Sequence, residues 1–382
     1  MSPTRLLMLV EQLRRTAAGG IGTYIGGLLQ GLEALASEAG RSPEGPAPDL
    51  PRFELTASRF PGGRGRTDPL ADLGYPLHVS PLPGPLLTRA WDAGFLRAPP
   101  GFDVVHATSL STIEPGRAAM VTTVHDLLWR RVPEAYPARG RAWHEGALRR
   151  ALRRSDRFIV PAEVVAEDLR GAGAPGDAIT VIPMGSDHLP APDIGLATDH
   201  LARMGITGPF LLSVGTLEPR KNQARLIEAY GRIRYSLPEP WPLVLVGPTG
   251  WGRQVQPSPG VTLAGTVSPP ELAGLYALSR LVAYVPIIEG FGLPPVEAMA
   301  VGSPVVTSPL PSTGGASFEV DPGDTESIAE GLLRVATDER QRAGLIARGH
   351  ARSAELTWEG IARRHVVVWN EARRSPATGS GG

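Results

Sequence analysis

The chain has 382 residues, a length that suits two domains better than a single ordinary core. Its formal net charge is zero, which argues against a general nucleic-acid binder, and no apolar run approaches the roughly 18 residues of a membrane span. The absence of cysteine excludes disulfides and thiolate metal sites. An apolar patch at 6–10 is too short for the core of a signal peptide, so we expect a buried strand and a cytoplasmic protein.

The first half of the chain alternates short apolar runs with helical patterns. The runs that favour strands are at 5–10, 53–57, 77–79, 102–106, 120–125, 158–161 and 179–183. After the first run, apolar residues recur at helical spacing over 21–36. Because most strand runs are apolar throughout and are separated by helices, they predict a parallel sheet that is covered on both faces.

The second half repeats this pattern. Strands are expected at 210–214, 243–246, 261–264, 281–285 and 304–307, and helices at 222–233, 270–277, 294–300 and 325–335. A polar, proline-containing stretch separates the halves, so the predicted domains are 1–190 and 191–357. A last helix is expected at 358–374, followed by a disordered tail at 375–382. Two facing doubly wound sheets would bind ligands in a cleft at the carboxyl ends of their strands.

The basic residues comprise 37 arginines and a single lysine, Lys221, which lies in the segment GTLEPRKN. Lysine provides a compact point charge that a planar guanidinium does not imitate, so its retention here indicates a specific role. Arg220 and Lys221 would place two positive charges at the carboxyl end of a strand, where they could neutralise a diphosphate. The alternative is a basic first helical turn that faces water.

The segment EGFGLPPVE follows a predicted buried strand. Gly290 and Gly292 would let the backbone approach a ligand closely, and a proline suits the first turn of the following helix. The loop amides and the helix N-terminus then predict an anion site. Glu289 and Glu297, the latter expected in the first helical turn, would bracket this site and bind sugar or ribose hydroxyls. Alternatively, Glu297 complements the helix dipole and Glu289 is a solvated loop residue.

Two further candidates lie in the first half. A glycine-rich segment with Gly20 and Gly22 follows the first strand and opens a helix, but it has no GxGxxG spacing and no Walker lysine, so a simple tight turn is equally consistent. His125 ends a strand run and could act on a hydroxyl or carbonyl, although a satisfied strand-end histidine is the alternative. His106 is less favoured, because the residues after it suggest a packed turn. No residues stand at metal-ligand spacing in a suitable loop, so no metal is predicted.

The segment from Arg139 to Arg157 has a basic amphipathic pattern. Four arginines alternate with apolar residues, among them Trp143, Leu148 and Leu152; the arginines are Arg149, Arg150, Arg153 and Arg154. Such a helix can contact anionic lipid, which would place the protein on the inner face of the membrane. A solvated helix face is the alternative.

Three segments, EGFGLPPVEAMAVGSPVV, VGTLEPRKN and VIPMGSD, resemble the retaining glycosyltransferases of family four. The match is dense over 210–306. The resemblance implies the GT-B fold, with two facing Rossmann-like domains and a cleft between them. It implies an N-terminal acceptor domain, a C-terminal domain for the nucleotide-sugar donor, and a terminal helix that packs back on the N-terminal domain. It implies no cofactor, since the nucleotide diphosphate sugar is a co-substrate.

The resemblance also implies roles for individual residues. Glu289 would contact hydroxyls of the donor sugar, and Glu297 would contact the nucleotide ribose. Arg220 and Lys221 would hold the diphosphate. The loop around Gly290, with the amides of Phe291, Gly292 and Leu293, would also belong to the donor site. The backbone of Val267 would contact the nucleotide base. Gly20 and Gly22 would lie near the phosphates and the acceptor, and His125 would lie close to the reacting sugar.

The reaction implied is transfer of a hexose to a glycan, lipid-linked or small-molecule acceptor, with retention, an α-glycosidic product and no metal. Mannose from GDP-mannose is favoured by the LEPRKN and GFGLPPVE variants. The chain departs from the family pattern at Thr216, where many members carry arginine, and after Pro311, where the stretch is shorter. Two alternatives remain open: a nucleotide-sugar epimerase of similar two-domain shape and a catalytically inactive sugar-nucleotide-binding protein.

Overall fold

A computed structural model describes residues 3–15, 18–39, 50–62, 67–250 and 258–374. It divides into two compact units, one formed by Met1–Pro183 with Trp358–Gly382 and the other by Met184–Thr357. The division falls before the predicted boundary at 190–191, because the amide of Ser186 already donates to the carbonyl of Leu356 in the second unit at 2.8 Å. The predicted tail at 375–382 lies outside the described residues.

Strands and helices alternate through both units. The strands are β1 (Arg5–Leu9), β2 (Arg52–Ser58), β3 (Leu77–Ser80), β4 (Val104–Ala107), β5 (Ala119–Thr123), β6 (Arg157–Val160), β7 (Ile179–Val181), β8 (Leu211–Val214), β9 (Leu243–Val246), β10 (Val261–Gly265), β11 (Leu281–Tyr284), β12 (Val305–Thr307) and β13 (Phe318–Glu319). The helices are α1 (Gly19–Ala39), α2 (Gly84–Asp92), α3 (Leu128–Arg131), α4 (Ala138–Arg154), α5 (Glu163–Gly171), α6 (Ile194–Arg203), α7 (Gln223–Ile233), α8 (Pro269–Leu278), α9 (Leu293–Ala300), α10 (Thr325–Thr337), α11 (Glu339–Ala354) and α12 (Trp358–Arg374).

Each unit contains one parallel sheet. The strand order is β3-β2-β1-β4-β5-β6-β7 in the first unit and β10-β9-β8-β11-β12-β13 in the second. Strands β4, β5, β9 and β11 are buried along their whole length, which explains why their sequences are mostly apolar. The predicted α/β class with two doubly wound parallel sheets is therefore confirmed.

Helix α12 packs on α1 within the first unit. Two glycines of α1 make the close approach possible, because a Cβ at Gly27 would overlap the indole ring of Trp358 and one at Gly31 would overlap its carbonyl oxygen. The contact also includes a buried polar link, in which the Tyr24 hydroxyl lies 2.8 Å from Nε2 of His365. Burial lowers the pKa of His365 to about 4, so this imidazole is neutral near pH 7.

None of the helices in the described ranges is both long enough and apolar enough to cross a membrane.

Candidate functional site

The strand order of the second sheet brings two distant loops together. From β8, strands β9 and β10 are added towards one edge of the sheet, and from β11, strands β12 and β13 are added towards the other. Strands β8 and β11 are parallel and pair directly through Leu211↔Leu281 and Leu212↔Val282. The loops that follow these two strands therefore start side by side, at the type of switch point where doubly wound sheets bind ligands. The first loop carries the 3-10 turn Pro219–Lys221 and the second carries Glu289.

The basic turn is fastened to the loop after β11. Asn222 ends the turn with φ +62°, and in the described ranges it is the one non-glycine residue in the left-handed region. Its side-chain amide donates to the carbonyls of Val285 at 3.0 Å and Pro322 at 2.9 Å. The carbonyl of Arg220 accepts from the amide of Ile287 at 2.9 Å. These bonds fix the backbone from which the two basic side chains project.

Three donors converge on one oxygen of Glu289. Nζ of Lys221, a guanidinium nitrogen of Arg220 and the hydroxyl of Tyr284 (3.0 Å) all donate to Oε1. The Tyr284 hydroxyl in turn accepts from Lys221 at 2.6 Å. Arg220 also donates to Glu218 at 2.7 Å. The sequence predicts a charged residue on each loop, and the structure adds that they touch one another and that Tyr284 joins them.

The environment keeps Glu289 ionised. Burial alone would raise its pKa, but Lys221 and then Arg220 outweigh burial and lower the pKa below its ordinary value. Burial, followed by the charge of Glu289, raises the pKa of Tyr284 well above its ordinary value, so its hydroxyl remains protonated and can donate. Glu289 is therefore suited to accept hydrogen bonds from a ligand and is poorly suited to be a general acid near pH 7.

The glycine-rich loop leaves its amides available. Gly292 has φ +93°, and a Cβ there would lie 3.1 Å from Cδ1 of Leu310 and 3.3 Å from Oγ of Ser312, so glycine is required. The amides of the residues 291–293 donate no hydrogen bond to any described residue. Because the second and third residues of α9 are prolines, these amides are the main free donors at the helix N-terminus. Gly290 is buried and is not in the left-handed region.

Glu297 belongs to a separate cluster. It is the fifth residue of α9 and so lies in the second turn, not in the first turn that the sequence predicts, because the helix starts at Leu293. Its Oε2 accepts from the hydroxyl of Tyr276 at 2.8 Å, and its Oε1 lies 3.1 Å from Nε2 of His188. The predicted base contact, Val267, lies just before the N-cap of α8 and is partly buried.

The first unit holds the other predicted residues. Gly20 and Gly22 lie in the first turn of α1 and not in a loop, since the helix begins at Gly19 with φ +57°. His125 lies two residues beyond β5, and its Nε2 donates to the carbonyl of Thr108 at 2.9 Å. Burial lowers the pKa of His125, so the ring is neutral and its Nδ1, which has no partner among the described residues, is an acceptor.

The alternative histidine, His106, is a core residue. It lies in β4, one residue before the strand ends at Ala107, and the chain bends at 108–110, where the sequence predicts a turn. It is fully buried, and its Nε2 lies 2.9 Å from Oγ1 of Thr123. Burial lowers its pKa well below the ordinary value, so it packs as a neutral ring.

Some of the basic side chains between Arg139 and Arg157 form ion pairs within the first unit. Arg150 pairs with Asp92 at 3.0 Å, Arg154 pairs with Glu114, and Leu148 is buried. The basic residues that α4 exposes are Arg139, Arg149 and Arg153. Trp143 is 40% exposed, and its Nε1 donates to Asp92 at 3.1 Å.

These two doubly wound parallel sheets, the second with charged and glycine-rich loops after β8 and β11, define an α/β protein of the GT-B fold class. The solved structure of Anabaena Alr3699/HepE in complex with UDP and glucose has this fold. It matches with a TM-score of 0.68 at 18% identity and covers 96% of this chain and 100% of that chain.

The family comparison is more specific. Glycosyl transferases group 1 matches residues 205–352, and Glycosyltransferase Family 4 matches residues 18–188. The O-antigen chain mannosyltransferase B of Escherichia coli is 31% identical over 265 residues, 65% of this chain and 69% of that protein. The MMP alpha-(1->4)-mannosyltransferase of Mycolicibacterium hassiacum is 27% identical over 292 residues, 71% of each chain. The chain belongs to the group 1 glycosyltransferases of family 4, and it is an enzyme that transfers a sugar.

Proposed function

We propose that the protein moves a hexose from a nucleotide diphosphate sugar to an acceptor with retention, forming an α-glycosidic bond. The observation that carries this proposal is the convergence of Lys221, Arg220 and Tyr284 on one oxygen of Glu289. Mannose from GDP-mannose is the proposed donor, because both relatives described above are mannosyltransferases by name.

The proposed diphosphate site combines the two cations with the loop amides. Charge develops on the leaving nucleoside diphosphate in the transition state, and fixed donors that face this charge lower the barrier. Arg220 and Lys221 are both oriented by ion pairs with Glu289, and the amides of 291–293 have no competing partner among the described residues. We propose that these groups, and not a metal ion, neutralise the diphosphate.

The proposed sugar contacts use two hydrogen-bond acceptors: the ionised carboxylate of Glu289 and the neutral imidazole of His125. The three donors to Glu289 in the described part of the chain all bind Oε1, so Oε2 would accept from hydroxyls of the donor sugar. In the first unit, Nδ1 of His125, which has no hydrogen-bond partner among the described residues, would accept a hydrogen bond from a substrate hydroxyl. The acceptor would attack from the face that the diphosphate leaves, and a phosphate oxygen would take its proton. No carboxylate nucleophile is then required, unlike in a retaining glycosidase.

The proposed acceptor is a glycan, a lipid-linked glycan or a small molecule. A peripheral contact with anionic membrane is proposed for the exposed arginines of α4, Arg139, Arg149 and Arg153, beside the partly exposed Trp143. Flotation with vesicles of phosphatidylglycerol, compared with phosphatidylcholine alone, tests this contact. Equal flotation of the wild type and of the double variant Arg149→Gln/Arg153→Gln would contradict the proposed membrane contact.

Calorimetric titration with GDP, UDP and ADP, followed by incubation with GDP-mannose and an acceptor panel, tests the proposed reaction. We expect binding of GDP and a product whose anomeric proton shows the α configuration by NMR. A β product would overturn retention. Conversion of the donor without an acceptor would point to an epimerase, and tight binding without turnover would point to an inactive binding protein.

A further inference from the structure

His188 contacts the carboxylate of Glu297, and the proposed function assigns no role to this contact. Its Nε2 lies 3.1 Å from Oε1 of Glu297, while the hydroxyl of Tyr276 donates to Oε2 of the same carboxylate at 2.8 Å. The side chains of His188 and Glu297 are 13% and 9% exposed. Among the described residues, each carboxylate oxygen therefore has one hydrogen-bond donor, and the plane of the carboxylate is held from both sides.

The three residues come from separate parts of the second unit. Tyr276 lies on α8 and Glu297 on the neighbouring helix α9, so the fold of these helices alone brings them together. His188 lies in the segment that enters the unit at Met184, before its first helix. The entering segment thus supplies the second donor to a carboxylate that the helices already hold at one oxygen.

An ionised carboxylate accepts roughly four hydrogen bonds, and His188 and Tyr276 occupy two of these positions. The remaining two suit a pair of adjacent hydroxyls, such as the 2′ and 3′ hydroxyls of a ribose. The last torsion of a glutamate side chain is otherwise broad, so a carboxylate held at one oxygen only would rotate. Fixing it before the ligand arrives reduces the ordering cost of binding.

We propose that His188 is a positioning residue that sets the Glu297 carboxylate for the ribose of the donor nucleotide. The inference rests on the proposed function, and it takes for Glu297 the contact with the nucleotide ribose that the family resemblance implies. His188 does not touch the reacting atoms, so its loss weakens selection for the ribose and leaves the chemical step intact.

The test compares GDP with 2′-deoxy-GDP and 3′-deoxy-GDP by calorimetry, and repeats the comparison with UDP and its deoxy forms. A hydrogen bond to a charged group corresponds to a preference of roughly 10- to 100-fold, so the wild type should favour the ribose form by at least about tenfold. His188→Ala should reduce the preference to about threefold or less, whereas His188→Gln, which keeps an N–H donor, should restore most of it. The KM for the donor should rise with kcat nearly unchanged.

The pair of His200 with Glu271 offers a matched control. Nδ1 of His200 lies 2.6 Å from Oε1 of Glu271, and the two side chains are 18% and 14% exposed. His200→Ala removes a histidine–carboxylate contact of similar burial and should lower the unfolding temperature while leaving the ribose preference unchanged.

The outcomes separate the inference from the proposed function. If His188→Ala keeps the full preference for ribose, or if the wild type binds GDP or UDP without preferring the ribose form, the positioning role is wrong and nucleotide binding stands. If the wild type binds none of these nucleotides, the proposed function is wrong and the inference falls with it.

Discussion

Replacing Lys221 by methionine removes the charge of the chain's single lysine and keeps most of its stem. The folded protein loses the bond to the Tyr284 hydroxyl and the ion pair with Glu289. Arg220 still pairs with that carboxylate, so we expect a stability loss of about 1–3 kcal/mol and not the roughly 3–5 kcal/mol of a fully orphaned buried charge.

The expected effect on function is larger. Loss of one charge-assisted hydrogen bond should weaken GDP binding by roughly 10- to 100-fold. Because the diphosphate gains charge as it leaves, kcat/KM should fall by about 10²–10³-fold. Lys221→Arg restores the charge but not the compact ammonium between Tyr284 and Glu289, so we expect it to recover only a small part of the loss.

Calorimetry with GDP, initial rates with donor and acceptor, and urea unfolding measure these quantities. Arg280→Met is the matched control, because Arg280 is 18% exposed and pairs with Glu339, outside the site. It should lower stability without changing GDP affinity. The reasoning is refuted if Lys221→Met keeps kcat/KM within about threefold of the wild type, or if the control loses GDP affinity to the same extent.

Three further predictions concern glycine and histidine positions. Gly27→Ala should destabilise the first unit by about 1–3 kcal/mol in urea unfolding, because its Cβ would overlap Trp358, whereas Gly26→Ala, which meets no atom within 4 Å, should not. His365 has a pKa of about 4 when folded and about 6.5 when unfolded, so the unfolded chain binds more protons between these values. As pH drops through this window, His365 alone should lower stability by about 3 kcal/mol. His365→Gln should remove this share of the pH dependence and leave the shares of His106 and His125, whose pKa values burial also lowers. Gly292→Ala should weaken GDP binding by about tenfold or more, because the left-handed backbone strains and the free amides shift; unchanged calorimetric affinity would argue against an anion site in this loop.

The strands were largely predictable from the sequence because both sheets are parallel and buried. Apolar runs such as those of β9 and β11 have few other structural interpretations. Helices α6 and α11 were not predicted, since their apolar patterns are weak: Ile194 and Leu196 of α6 are exposed, and α11 buries few apolar side chains.

The candidate site was predicted as residues but not as contacts. The segments with Arg220 and Glu289 were singled out, but the two residues are 69 positions apart in the sequence, and their contact depends on β8 and β11 being neighbours. Tyr284 was not singled out because a tyrosine inside an apolar run looks like core. Its signal was its place at the end of the strand, directly before the loop of Glu289.

Helix α12 has a consequence for how the protein is made. The groove on α1 that receives Trp358 belongs to the unit that leaves the ribosome first, but its filling helix is synthesised after the whole second unit. At about 5–20 residues per second, the 184–357 segment takes roughly 10 to 35 s to emerge, and for that time the groove is open. The first unit can therefore complete its packing against α1 only after the second unit has been synthesised.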